Sequence, residues 1–178
     1  MELVKTDDCC RNVEIKARVK DHAAVAVRAR AVADSAPIER VQEDTFFRYP
    51  EGRLKLRKYS DNKGELIFYA RADATSPRES RYRVLPTSSP DVLICAFSEQ
   101  YGILGRVQTR RTVFLSVNAR IHLDEVDGLG TFVEIEAVLG KDEPVEQGIA
   151  TVNRLMEKLG IRKEDLVGKA YIDLLGES

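Results

Sequence analysis

The chain has 178 residues, of which 43% are hydrophobic and 32% charged, a length that suits one domain, residues 1–178, with one sizeable core. Its 28 basic and 29 acidic residues leave a formal net charge of −1, which argues against a general nucleic-acid binder with a net basic face but not against a small anion held by a local cluster. Cys9, Cys10 and Cys95 show no C-x-x-C spacing, no apolar run nears the ~20 residues of a membrane helix, and MELVKTDDCC lacks a signal-peptide core. A disulfide framework, a zinc site and a membrane span are therefore disfavoured, and a cytoplasmic protein is the expectation.

Residues 1–11 read as a loose leader. In residues 12–19, Val13, Ile15, Ala17 and Val19 alternate with Glu14, Lys16 and Arg18, the period of a strand. Asp21 can cap an alanine-rich helix over 22–34 that Pro37 ends. Strands follow over 38–48, 53–60, 65–72 and 79–86, with turn signals at Pro50–Gly52 and Asn62–Gly64. Ser89-Pro90-Asp91 starts a helix over 89–103. Strands resume over 106–117, 119–126 and 131–139, with Asp127-Gly128 in the last turn. Helices over 143–159 and 163–175 close the chain. Consecutive strands with few helices predict an antiparallel α+β fold.

The strand faces that should be plain carry charge. Glu14, Lys16 and Arg18 share one side of the first strand, because successive side chains point to opposite faces. The same parity groups Lys55 with Arg57, Tyr69 with Arg71, Arg81 with Arg83, and Glu134 with Glu136. Arg120, His122 and Asp124 alternate with Ile121 and Leu123. These could be the solvated outer faces of a half-buried sheet. Alternatively, about eight strands close, or nearly close, into an antiparallel β tunnel with helices packed outside, and the charged faces converge on one lumen. Basic residues dominate the middle strands and acids the first and last. Such a lumen repels itself unless something fills it, and a phosphate chain with Mg²⁺ or Mn²⁺ offsets both signs at once.

These residues resemble the CYTH domain family, the triphosphate tunnel metalloenzymes, in its class IV adenylyl cyclase-like branch. Glu14-Ile15-Lys16 is similar to the second half of the family's ExExK signature. DTFFRYPEGRLKLR (44–57), ELIFYAR (65–71) and RIHLDEVDGLGTFVEIE (120–136) resemble its later strands in the expected order. The resemblance implies that Glu14, Glu134 and Glu136 hold divalent metal, Mg²⁺ or Mn²⁺, with Asp124 binding metal or supporting a ligand. It implies that Lys16, Lys55, Arg57, Arg71, Arg81, Arg83 and Arg111 bind the triphosphate, and that Glu14, Lys16, Glu134 and Glu136 serve catalysis. His122 reads as a satisfied hydrogen-bonding residue.

Two positions depart from the pattern. Asn12 replaces the first glutamate of ExExK, and Thr109 stands where a phosphate-gripping lysine is expected. Arg110 follows Thr109, but alternation points it away from the lumen. The implied reaction is conversion of ATP to cyclic AMP and pyrophosphate. The alternatives are an inorganic or organic triphosphatase, the thiamine triphosphatase type included, a non-catalytic nucleotide or polyphosphate module, and a structural sheet protein. No G-x-x-x-x-G-K-[ST] phosphate loop is present. The implied partner is a small triphosphate, without nucleic acid or membrane, and the family admits a homodimer.

Overall fold

A computed structural model describes residues 10–177. Eight strands, each antiparallel to its neighbours, close into one barrel: β1 (Cys10–Arg18), β2 (Ile38–Phe47), β3 (Arg53–Tyr59), β4 (Gly64–Arg71), β5 (Arg78–Thr87), β6 (Ile103–Ser116), β7 (Ala119–Val126) and β8 (Gly130–Leu139). Their order around the barrel is β1-β5-β4-β3-β2-β6-β7-β8. β1 closes the circle by pairing with both β5 and β8. The expected α+β tunnel is therefore present, and every predicted strand exists. The leader expected over 1–11 lies outside the described residues up to residue 9, and Cys10 and Arg11 already belong to β1.

Four helices lie outside the barrel: α1 (His22–Val32), α2 (Pro90–Tyr101), α3 (Val145–Leu159) and α4 (Tyr171–Leu175). Asp21 caps α1, its side chain accepting from the Ala24 N–H at 2.9 Å. The apolar faces of the strands point outward and are covered by these helices. Val13, Ile15 and Ala17 of β1 and Val133, Ile135 and Ala137 of β8 pack under Val152, Leu155, Met156 and Leu159 of α3. Phe47, Leu54 and Leu56 pack against α2 through Leu93, Ile94 and Phe97. With much of the hydrophobic core outside the barrel wall, the inner faces can carry charged and polar residues beside a smaller apolar set. No helix among the described residues is long and apolar enough to cross a membrane.

The single helix expected over 163–175 is instead a 3-10 turn at Lys163–Asp165 and the short α4. The intervening residues are held by the barrel. Leu166 bridges Ala17. The Val167 N–H donates to the Lys16 carbonyl at 2.8 Å. Arg71 donates to the Gly168 carbonyl and Lys16 to the Lys169 carbonyl. This segment brings Ala170 and Tyr171 against Phe46, Val107 and Phe132, an apolar floor at one end of the lumen.

Candidate functional site

The lumen encloses about 550 Å³ and is lined by alternate residues of all eight strands. Seven cations and five carboxylates face it. A larger open groove of about 1080 Å³ crosses the rim over the outer faces of β2 and β6. None of Glu14, Glu134 and Glu136 lines it, so the convergent chemistry belongs to the lumen.

One side is acidic. Register sets Glu14 opposite Glu136 and Lys16 opposite Glu134 across β1 and β8. It sets His122 opposite Glu134 across β7 and β8. Half a turn around the barrel, β3 presents Lys55 and Arg57. Between the two walls stand Arg71 on β4 and Arg111 on β6.

The charges are already tied together. Asp44 accepts from Lys55 at 2.6 Å and from Arg57 at 2.8 and 2.9 Å. Arg111 donates both arms of its fork to Asp124 at 2.7 and 2.6 Å and reaches Glu134 at 2.8 Å. Asp124 also accepts from the Tyr171 hydroxyl at 2.7 Å. Lys16 lies 3.2 Å from Glu134 and sits over the Tyr171 ring, 3.7 Å from its centroid. Arg71 lies 3.1 Å from Glu14.

Burial and crowding shift the ionisation of these groups. Glu14 is pushed up to about 7, first by burial and then by the nearby Glu136 and Glu134 carboxylates, against the pull of Arg71. Burial also disfavours ionised Glu134, but Lys16 and Arg111 outweigh it and hold that carboxyl well below the usual range. Lys55 is pushed down to about 8 by burial, with Arg57 adding to the effect and Asp44 opposing it. Lys16 is lowered chiefly by burial.

A divalent cation fits this donor set. Glu14 is crowded by two like charges that a cation between them would relieve. Two buried polar atoms at lumen-lining residues, Oδ1 of Asn12 and Nδ1 of His122, have no hydrogen-bond partner. Such atoms are costly to bury unless a ligand satisfies them.

Most of the sequence-derived residues meet here: Glu14, Lys16, Lys55, Arg57, Arg71, Arg111, Glu134 and Glu136 all line the lumen. Asp124 is fully buried behind it, its oxygens taken by Arg111 and Tyr171. Arg81 and Arg83 are a correction: both are exposed on the outer face. Opposite residues of an antiparallel pair share a face, and β5 pairs Arg81 with Ala70 and Ser80 with Arg71. Ser80, Tyr82 and Val84 therefore face inward. His122 is also corrected, since its Nδ1 is unsatisfied. Thr109 lines the lumen, whereas Arg110 is exposed, as alternation requires. Asp44 also lines the lumen, at a position that the parity of β2 makes legible. Tyr171 carried no signal, because its place depends on the strap that precedes it.

A family profile for the CYTH domain matches residues 11–171. A solved protein from Pyrococcus horikoshii OT3 is 24% identical, with TM-score 0.82, over 92% of this chain and 98% of that one. An adenylate cyclase candidate from Vibrio parahaemolyticus is 17% identical, with TM-score 0.73, over 93% and 97%. An adenylyl cyclase candidate from Hippeastrum, described as having a dominant triphosphatase activity, is 17% identical with TM-score 0.62, over 93% and 95%. At these identities the likeness shows a shared fold. No curated protein matches the sequence significantly.

Proposed function

The chain belongs to the CYTH domain family, and we propose that it is a metal-dependent enzyme that binds a triphosphate in the barrel lumen, cyclising ATP to cyclic AMP and pyrophosphate. One observation carries this reading: a cluster of half-buried carboxylates on β1 and β8 faces Lys55 and Arg57 half a turn away in the charged lumen of a closed barrel. A bound Mg²⁺ or Mn²⁺ would supply activation of the attacking oxygen and neutralise charge developing on phosphorus. Glu14, Glu134 and Glu136 would hold it.

The chain's own groups do the rest by position and charge. Arg57 and Arg111 present guanidinium forks that match paired phosphate oxygens, and Lys55 and Lys16 add point charge. Asp44 now holds Lys55 and Arg57 in place, so an entering phosphate shares two cations already aimed inward. In cyclisation the ribose 3′-oxygen attacks the α-phosphorus, and the leaving pyrophosphate stays on the basic wall. The buried floor keeps bulk water from that end.

Hydrolysis of the terminal phosphate is the second reading, with water as nucleophile on the same wall. It is supported by the likeness to the Hippeastrum protein and its described triphosphatase activity. The test is a product assay with Mg²⁺ and with Mn²⁺. ATP and inorganic tripolyphosphate are supplied separately. Cyclic AMP with pyrophosphate from ATP supports the cyclase, and orthophosphate from tripolyphosphate supports hydrolysis. Glu134→Gln with Glu136→Gln is expected to abolish either product. Stabilisation by ligand with no product would instead make the chain a binding module, for which Asn12 and Thr109 already weaken the charge set.

A further inference from the structure

His122 stands on β7 between two carboxylates and bonds to neither. Its side chain is 8% exposed, and its Nδ1 lies 3.5 Å from Oε1 of Glu136 and 3.7 Å from Oε2 of Glu134. Both separations are too long for an N–H···O bond. The observed spacing is instead near that of donors sharing one first-row ion. With metal–ligand bonds of about 2.0–2.2 Å, neighbouring donors sit about 3.0–3.5 Å apart. One donor atom from each of His122, Glu134 and Glu136 lies within 4.8 Å of the others.

The remaining oxygens of the pair have other work. Oε2 of Glu136 accepts from Arg120 at 2.9 Å, which leaves Oε1 toward the imidazole. Oε1 of Glu134 faces Lys16 at 3.2 Å, while Oε2 is shared with Arg111. Glu136 is thus held by Arg120 on its far side with its near oxygen turned toward His122, whereas the Glu134 oxygen nearest the imidazole is also the one that accepts from Arg111.

We propose that Nδ1 of His122 is a direct ligand of the divalent cation together with Glu134 and Glu136. The centre is then a mixed nitrogen–oxygen site that prefers first-row transition ions to Mg²⁺. Imidazole favours such ions, whereas Mg²⁺ favours an all-oxygen shell. The proposal deepens the functional reading above and rests on its metal site.

The test is metal binding by the intact chain, with and without inorganic tripolyphosphate. Pulsed electron paramagnetic resonance of the Mn²⁺-loaded protein is expected to show coupling to an imidazole nitrogen. Calorimetry is expected to give tighter binding of Mn²⁺ and Co²⁺ than of Mg²⁺. His122→Ala should remove the nitrogen coupling and weaken Mn²⁺ and Co²⁺ binding by at least about tenfold, the loss already typical of groups one step beyond the ligands. Mg²⁺ binding should change less than twofold. His122→Gln serves the same comparison if the alanine variant does not fold. Mn²⁺ held without nitrogen coupling overturns the assignment of His122 and leaves the carboxylate site standing. Failure of the native protein to bind any divalent ion overturns both.

Discussion

Lys55 is a largely enclosed ammonium whose charge becomes marginal just above neutrality. Burial lowers its pKa to about 8, so the free protein loses this cation as pH rises through that value. An anion restores it, because binding a phosphate favours the charged form. Tripolyphosphate binding should therefore take up a proton above pH of about 8 and weaken there by at most about tenfold per unit. In Lys55→Arg the guanidinium stays charged, so the part of the proton uptake that belongs to Lys55 should disappear. Calorimetry in buffers of different ionisation enthalpy measures both, and a native profile that is flat from pH 7 to 9 would show that Lys55 does not touch the ligand. Asp124 makes a different case, an acid wholly inside the wall with both oxygens taken by hydrogen bonds. With Arg111 on two bonds and Tyr171 on a third, its substitution removes the charge that Arg111 grips with both arms and leaves Glu134 as its remaining acid. Asp124→Asn should cost about 3–5 kcal/mol of stability, read from denaturant midpoints. Cation affinity of the folded variant should be unchanged. A large loss of affinity without loss of stability would return Asp124 to the metal ligands.

At the scale of elements, the packing of α3 on the barrel depends on one missing side chain. A Cβ at Gly148 would lie 2.5 Å from Cγ2 of Val13 and 3.0 Å from Cδ2 of Leu139. Gly148→Ala gains about 1 kcal/mol of helix propensity but overpacks β1 at a cost of about 1–3 kcal/mol. A net drop in melting temperature is expected. On a Val13→Ala background, which removes the 2.5 Å contact with Cγ2 but keeps the Val13 Cβ at 2.9 Å, the drop should become smaller, and an equal drop in both backgrounds would disprove the clash. The same strands show what could be read beforehand. Alternation on β1, β3, β7 and β8 was strict enough to place Glu14, Lys55, Arg57, Glu134 and Glu136 on one face. β5 was harder, because arginines occur at both parities: Arg78 is buried while Arg81 and Arg83 are exposed. Only pairing with β4 fixes which set faces inward, and a shift of one residue reverses the answer. The strap before α4 was illegible for a related reason. Residues 166–170 have no periodicity of their own, and their backbone is held by Lys16 and Arg71 from strands more than 90 positions away.

Over the whole molecule, the fold holds apart charges that would rather not share a cavity. Seven cations and five carboxylates line the lumen, and Glu14 and Lys55 are both displaced toward neutrality by it. The apolar core outside the wall must supply the stability that this interior does not. A triphosphate carrying one divalent ion is a net anion with a cationic centre, and it complements both walls of the barrel. Ligand binding should therefore appear as thermal stabilisation as well as occupancy. At about 100 times its dissociation constant the complex is worth about 2.7 kcal/mol. For a chain of this size that raises the melting temperature by roughly 5–10 °C. Tripolyphosphate with Mn²⁺ should give the full shift, and each alone a smaller one, since each satisfies one wall only. Sulfate at the same ionic strength should give little, because it cannot span from β3 to β8. Equal shifts from sulfate and tripolyphosphate would mean that the lumen responds to anions in general, and the claim that it is shaped for a phosphate chain would fail.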